Sequence, residues 1–286
     1  MILQRQLGNT RQYVNAIGLG AMPLSLSGRP SEPVAMQVID AFIEGGGNFI
    51  DTANVYCRDD TDIGHNESLI YRALINHKSS DKIIVATKGG LRRPKGTWTT
   101  DASPQWLRKS CDKSLKDLNT DSIYLYQLHA PDPAIPLSES IGELVRLKQE
   151  GKIQHIGLSN VNTSEIQTAL TISPVMSVQN RCNILERKSL DNGVVELCNK
   201  ENITFIAHSP VGGHYGHVEA AATINIKEIA NKYTVSPYQI MLAWLLSQGN
   251  HILPIPGASK VNSISDSLKS IEISLESEDL EILNNL

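Results

Sequence analysis

The chain has 286 residues, 41% of them apolar and 20% charged, and a net charge of −4 with both signs mixed along its length. That balance carries no basic stripe for nucleic acid, and no apolar stretch approaches the ~20 residues of a membrane-spanning helix. The length suits one barrel domain or two ordinary α/β domains.

In chain order, residues 3–7 and 12–14 around Gly8-Asn9 predict a short hairpin. Short apolar runs follow near residues 14–19, 48–51, 83–87, 123–128, 153–158, 175–178, 203–207 and 251–255. Amphipathic segments separate them. Ser103-Pro104 marks a helix start with Pro at the first helical position, and Leu107, Cys111, Leu115 and Leu118 then share one face. Ser138 is expected to open another helix that stops before Gly151. Ser236 and Gln239 have capping-box spacing ahead of a long apolar segment. The last helix is expected over Ser277–Asn284, with acids in its first turn. Eight strands alternating with helices predict an α/β fold, a (β/α)8 TIM barrel with the hairpin capping its bottom. A doubly wound sheet is the competitor. No Pro/Ser-rich linker divides the chain, so one domain over residues 1–286 is expected.

Cys57, Cys111, Cys182 and Cys198 show no Cys-x-x-Cys spacing and read as reduced thiols. The first six residues lack a signal-peptide core, and the C-terminus carries no lipidation signal. A cytoplasmic location is therefore expected, with no membrane or nucleic-acid partner, as a monomer or homo-oligomer.

Four polar residues stand at or just past the ends of these apolar runs: Asp51, Tyr56, Lys88 and His129. The C-terminal rim of a parallel barrel is where its chemistry sits. Tyr is a weak acid, with a pKa of ~10, and an ammonium beside it favours the phenolate. Lys88 fits that part, with Asp51 holding the ammonium in place. His129 fits as a donor that orients a substrate carbonyl. Such a set suits protonation of a carbonyl oxygen during reduction, and the hydride then needs a cofactor. Singly, each residue also has a plain structural reading: a turn cap, a packing ring, a rim charge. The set at successive strand ends points to a site.

The sequence resembles the aldo-keto reductase superfamily. The matching pieces are Asp51-Thr52-Ala53-x-x-Tyr56, Thr87-Lys88, Leu125-Tyr126-Gln127-Leu128-His129-x-Pro131-Asp132, Gly151-Lys152-Ile153-x-x-Ile156-Gly157-Leu158-Ser159-Asn160, Gln179-Asn180, Ser209-Pro210-x-Gly212 and Ile255-Pro256-Gly257-Ala258-Ser259-Lys260. They run in the family's order along the whole chain. The resemblance implies a (β/α)8 barrel binding NADP(H) across the strand C-termini, with NAD(H) as the second candidate. It implies Asp51, Tyr56, Lys88 and His129 as the catalytic tetrad and Tyr56 as general acid. It places Ser159, Asn160 and Gln179 on the nicotinamide carboxamide, and Gly20, Ala21 and Met22, with Asp51, along the nicotinamide. Ser209, Pro210, Val211 and Gly212 would face the pyrophosphate. Gly257, Ser259 and Lys260 would meet the adenosine phosphate, with Ser263, Asp266 and Ser267 beyond. No metal is implied.

The chain departs from the family pattern in places. His208 stands where an aromatic ring usually stacks on the nicotinamide, and its charge could respond to pH. Ser263 stands where many relatives have an Arg for the 2′-phosphate. Asp266-Ser267 replaces a Glu-Asn pair. Lys260 is left as a point charge for the phosphate. Cys57, which follows the tetrad Tyr, reads as an inert thiol.

On the substrate side, Met22, Val55, Tyr56 and His129 are expected with a loop over residues 91–100 that carries Arg92, Arg93, Lys95 and Trp98. Its cations could attract a substrate phosphate or carboxylate, as on pyridoxal-like or sugar aldehydes. His214 and His217 could hold a metal only with further ligands; a loop closing over cofactor is the better reading. The short segment after the last helix predicts an open site for broad or bulky substrates. Two other functions stay open. One is a cofactor-binding regulatory subunit or redox sensor with incidental turnover. The other is a lyase or isomerase using Lys88 as a Schiff base, which needs that amine neutral.

Overall fold

The computed structural model describes residues 3–75 and 77–286. At its N-terminus β1 (Gln4–Gln6) pairs antiparallel with β2 (Tyr13–Asn15). The barrel strands are β3 (Leu19–Gly20), β4 (Phe49–Asp51), β5 (Ile84–Gly89), β8 (Ile123–Leu128), β9 (Ile153–Ser159), β10 (Ser177–Arg181), β11 (Thr204–His208) and β12 (Ile252–Ile255). Between β5 and β8 lie two short strands outside the barrel, β6 (Leu91–Arg92) and β7 (Thr99–Thr100). The eight barrel strands are parallel and neighbours in chain order.

Closure brings the first strand against the last. Gly18 N–H donates to Pro254 O at 3.0 Å, Gly20 N–H donates to Pro256 O at 3.0 Å, and Gly20 bridges Gly257 in parallel. A Cβ on Gly20 would lie 2.8 Å from Ile255 O, so the closing seam needs glycine there.

Helices α1 (Glu32–Glu44), α2 (His65–Leu74), α3 (Pro104–Asp117), α4 (Leu137–Gln149), α5 (Thr163–Leu170), α6 (Lys188–Asp191), α7 (Val194–Lys200), α8 (Gly213–Ala222), α9 (Ile224–Tyr233), α10 (Pro237–Ser247), α11 (Val261–Leu268) and α12 (Ser277–Asn284) follow the strands. The result is the expected (β/α)8 barrel. Ser103 caps α3 through Trp106 N–H, and Ser236 caps α10 through Gln239 N–H. α4 starts at Leu137, one residue before the expected Ser138, with Pro136 at its N-cap and no side-chain cap. Among the described residues no helix is long and apolar enough to cross a membrane.

The period-two alternation of the strands sorts the interior by height. Phe49, Ile84, Ala86, Leu125, Ile206, Leu253 and Ile255 form one apolar cluster inside the barrel, joined by Leu7, Val14 and Met176. One more step of two reaches Asp51 on β4, Lys88 on β5 and Gln127 on β8, and a further step reaches His129 just past β8. The interior is thus apolar below and polar at the rim. The hairpin covers the apolar end: Arg5 donates to Ile252 O at 3.1 Å and Leu246 O at 3.2 Å, and Gly8 N–H donates to Thr204 Oγ1 at 2.7 Å. Thr204 and Ile252 begin their strands, so the hairpin caps the bottom, as expected.

Candidate active site

The four rim residues converge. Lys88 Nζ lies 2.5 Å from Asp51 Oδ2, 2.9 Å from Tyr56 OH and 2.9 Å from Thr52 O. All three ammonium protons thus have acceptors, although Lys88 is fully buried. The second carboxylate oxygen of Asp51 accepts from Gln127 Nε2 at 3.1 Å and Gln179 Nε2 at 2.7 Å. His129 stands edge-on to Tyr56, ring centroids 5.8 Å apart.

Helix α2 braces the rim from behind. Thr52 Oγ1 donates to Asn66 Oδ1 and Thr87 Oγ1 donates to Glu67 Oε1, both at 2.5 Å. Asn66 also donates to Ala21 O at 2.8 Å. Adjacent residues of α2 therefore tie down the neighbours of both Asp51 and Lys88.

The protonation states follow from burial and charge. For Lys88 burial pulls the pKa down, but Asp51 and Tyr56 outweigh it and the net direction is up. A Schiff-base role, which needs the neutral amine, finds no support in this setting. For Tyr56 burial is the largest influence and raises the pKa; the pull of Lys88 offsets only part of it. The expectation that Lys88 would leave Tyr56 a stronger acid is therefore corrected: the phenol keeps its proton at neutral pH. Burial, then Lys88 and His208, hold His129 well below its ordinary value, so it is neutral. Its Nδ1 is buried without a partner among the described residues. His208 falls to about 4, chiefly through burial. It is neutral at physiological pH, against the expectation of a charge that responds there. Burial raises Cys57 to about 11, and its Sγ lies 3.2 Å from Val55 O, as an inert thiol would.

Above the tetrad lies a cavity of about 860 Å3, within the range of small-molecule sites. At one end Met22, Leu26, Leu91, Trp98, Tyr56 and His129 line it. Gly20, Asp51, Ser159, Asn160, Gln179 and His208 form its middle, and Ser209, Pro210 and Val211 continue the wall. Gly257, Ser259, Ser263, Asp266 and Ser267 line the far end. The Ser159 hydroxyl and the amide oxygens of Asn160 and Gln179, whose amide N–H groups are held by His129 O and Asp51, offer polar partners to a carboxamide. The far end offers hydroxyls, one carboxylate and the start of α11, groups that suit ribose and phosphate. The lining fits a nicotinamide dinucleotide.

Several expected residues stand elsewhere. Ala21 is fully buried and donates its N–H to Asp51 O at 2.9 Å. Val55 is fully buried too. Gly212 is buried, its carbonyl taken by Arg181 Nη2 at 3.1 Å. Lys260 is exposed at the N-cap of α11, outside the cavity wall. Residues 91–100 are not a plain loop: β6 and β7 pair as a ribbon. Arg92 points out of the site, paired with Asp101 at 2.5 Å and stacked on Trp106. Arg93 is buried, donating to Cys57 O at 3.2 Å and Arg58 O at 3.1 Å and lying 3.9 Å over the Trp98 ring. These two cations are spent on structure, which removes them as a lure for an anionic substrate. His217 lines the cavity and contacts Gly213 O at 3.1 Å; the side chains of His214 and Tyr215 lie outside the described residues. Among the described residues no group of three or more His, Cys, Asp or Glu is placed to hold a metal.

Sequence reasoning missed Gln127 and Arg181. Gln127 shares strand parity with His129, which was the available signal. Nothing in the sequence singled out Arg181.

The family model described as the aldo/keto reductase family matches residues 16–286. The chain belongs to the aldo/keto reductase family. Membership makes it a carbonyl-reducing oxidoreductase. It is 35% identical over 270 residues to an uncharacterised oxidoreductase of Schizosaccharomyces pombe, covering 93% of this chain and 84% of that one. A probable aldo-keto reductase of Glycine max is 31% identical over 306 residues, covering 96% and 86%. Among solved structures, a thermostable aldo-keto reductase in complex with the inhibitor epalrestat superposes with a TM-score of 0.85 at 29% identity, covering 99% of each chain. The glycerol dehydrogenase of Gluconobacter oxydans gives a TM-score of 0.86 at 26% identity, covering 99% and 94%.

Proposed function

We propose that this aldo/keto reductase reduces aldehydes or ketones to alcohols with NADPH, Tyr56 delivering the proton to the carbonyl oxygen. NADH is the second candidate. The observation that carries this reading is the buried chain Asp51–Lys88–Tyr56, with a protonated phenol at its cavity end. When bound, the nicotinamide supplies the hydride. Tyr56 and the neutral His129 face the position where a carbonyl oxygen would sit, so both donate to it as negative charge grows there. As Tyr56 gives up its proton, Lys88 is 2.9 Å from the resulting oxyanion and stabilises it. Asp51 and its two glutamine donors keep Lys88 from following the proton. Ser159, Asn160 and Gln179 would hold the carboxamide and so fix the face from which hydride leaves.

The start of α11, with Ser259 and Ser263 on the cavity wall, supports a phosphate at the far end and hence NADPH over NADH. Asp266 opposes it; its Oδ2 accepts from Ser236 Oγ and its Oδ1 from Gln239 Nε2, both at 2.6 Å. The substrate end is apolar and aromatic, which supports uncharged aldehydes and ketones. The test is loss of reduced-nicotinamide absorbance with a panel of aldehydes and ketones, NADPH and NADH side by side. Turnover is expected with NADPH foremost. Cofactor binding without turnover on any carbonyl would instead leave the sensor reading standing.

A further inference from the structure

The charge inside the cavity is carried by few groups. Among the described residues lining it, Asp51 and Asp266 are carboxylates and Arg181 is the sole lysine or arginine. Lys88 lies behind Tyr56, already paired with Asp51. A dinucleotide brings a pyrophosphate with two negative charges into this space, and it needs a counter-charge.

Arg181 ends β10, two residues beyond Gln179 and so on the same face of the strand. Its Nε donates to Glu186 Oε2 at 2.5 Å and its Nη2 to Gly212 O at 3.1 Å, yet the side chain is 46% exposed. It stands against residues 209–213, where Ser209, Gly212 and Gly213 have φ of +53°, +95° and +73°. Gly212 N–H donates to Ser209 O at 3.1 Å and its carbonyl accepts from Arg181, which holds the guanidinium beside the stretch of cavity wall made by Ser209, Val211 and Gly213. A Cβ built on Gly213 would be 3.4 Å from Arg181 Nη1, so the guanidinium and this turn share one surface.

We propose that Arg181 is the counter-ion of the cofactor pyrophosphate, exchanging Glu186 for it on binding. This rests on the dinucleotide reading of the cavity. The planar guanidinium matches two phosphate oxygens, and a charged pair is stronger than amide contacts alone. The exchange does not orphan Glu186, because Asn183 Nδ2 still donates to Oε2 at 2.9 Å.

The test compares dissociation constants of NADPH and NADH, by quenching of tryptophan fluorescence, for the parent chain, Arg181→Met, Arg181→Lys and Glu186→Gln. Arg181→Met should weaken both cofactors by a similar factor, roughly tenfold or more, and flatten the dependence on salt. Arg181→Lys should recover part of the loss. Glu186→Gln keeps an acceptor for Asn183 and frees the guanidinium, so it should bind as tightly as the parent or tighter. Parent-like binding by Arg181→Met overturns the proposal. Equal weakening by Glu186→Gln also does, since the pair would then be only a brace, and so does weakening confined to NADPH, which would place Arg181 on the 2′-phosphate. A parent chain that binds neither cofactor fails the dinucleotide reading itself, and this proposal with it.

Discussion

In the proposed reaction Tyr56 serves as the acid because of what surrounds it. Burial keeps its proton on through neutral pH, and Lys88 stands ready to stabilise the anion once the proton leaves. The sign of the pH dependence follows. A general acid works only while protonated, and a raised pKa moves its loss to alkaline pH, so the rate should fall only as pH rises toward and beyond the ordinary tyrosine range. His129 and His208 are both neutral at physiological pH, held there by burial. A kcat/KM profile from pH 5.5 to 8 should therefore show no inflection near the ordinary histidine value of ~6.5. Glu67 makes a separate prediction. Burial raises its pKa from 4.5 to about 7, so the folded state holds a proton that the unfolded state gives up. Its stability contribution is complete below the unfolded value and is lost as pH rises through about 7. Glu67→Gln cannot ionise, so urea melts should show the parent losing up to about 3 kcal/mol relative to this variant between pH 4 and 8.5.

At the scale of elements, β6–β7 shapes the substrate end. Arg93 clamps the ribbon to the segment after Tyr56 through Cys57 O and Arg58 O, and stacks on Trp98. Arg93→Met should raise KM for aldehydes while leaving cofactor affinity unchanged. Arg92→Met should alter kcat/KM less than about twofold even on a phosphorylated aldehyde, because an exposed pair contributes little; steady-state kinetics check both. This ribbon also marks where the sequence stopped being readable. Arg92 and Arg93, in a basic run with Lys95, have partners set by tertiary contacts: Asp101, two backbone carbonyls and two indole rings. The barrel strands were legible because apolar runs of set length between helical periods leave few alternatives. Asp51, Lys88 and His129 were legible because inward parity at or just past a strand end places a side chain at the rim, whereas Tyr56, in the turn beyond β4, was located by the family motif. Lys260 was misplaced for the opposite reason: a residue at a helix N-cap points where the preceding turn sends it, which spacing does not encode.

Across the whole molecule the barrel separates stability from chemistry. The apolar layer of Phe49, Ile84, Leu125, Ile206 and Leu253 is sealed at the bottom by the hairpin, while the groups proposed to react sit above it at the rim. Removing one rim hydroxyl should leave the core layer and the cofactor wall as they were. Tyr56→Phe keeps the ring beside His129 and Trp98 and deletes only the OH that meets Lys88. Its melting temperature and its affinity for NADPH should stay near the parent's, while carbonyl reduction drops by roughly 10²–10⁴-fold. The most direct measurement is therefore aldehyde-dependent NADPH oxidation by the parent and Tyr56→Phe, read beside NADPH affinity on the same preparations. Intact binding with lost turnover is the predicted result; turnover at the parent rate by Tyr56→Phe would contradict the assignment of Tyr56 as the proton donor.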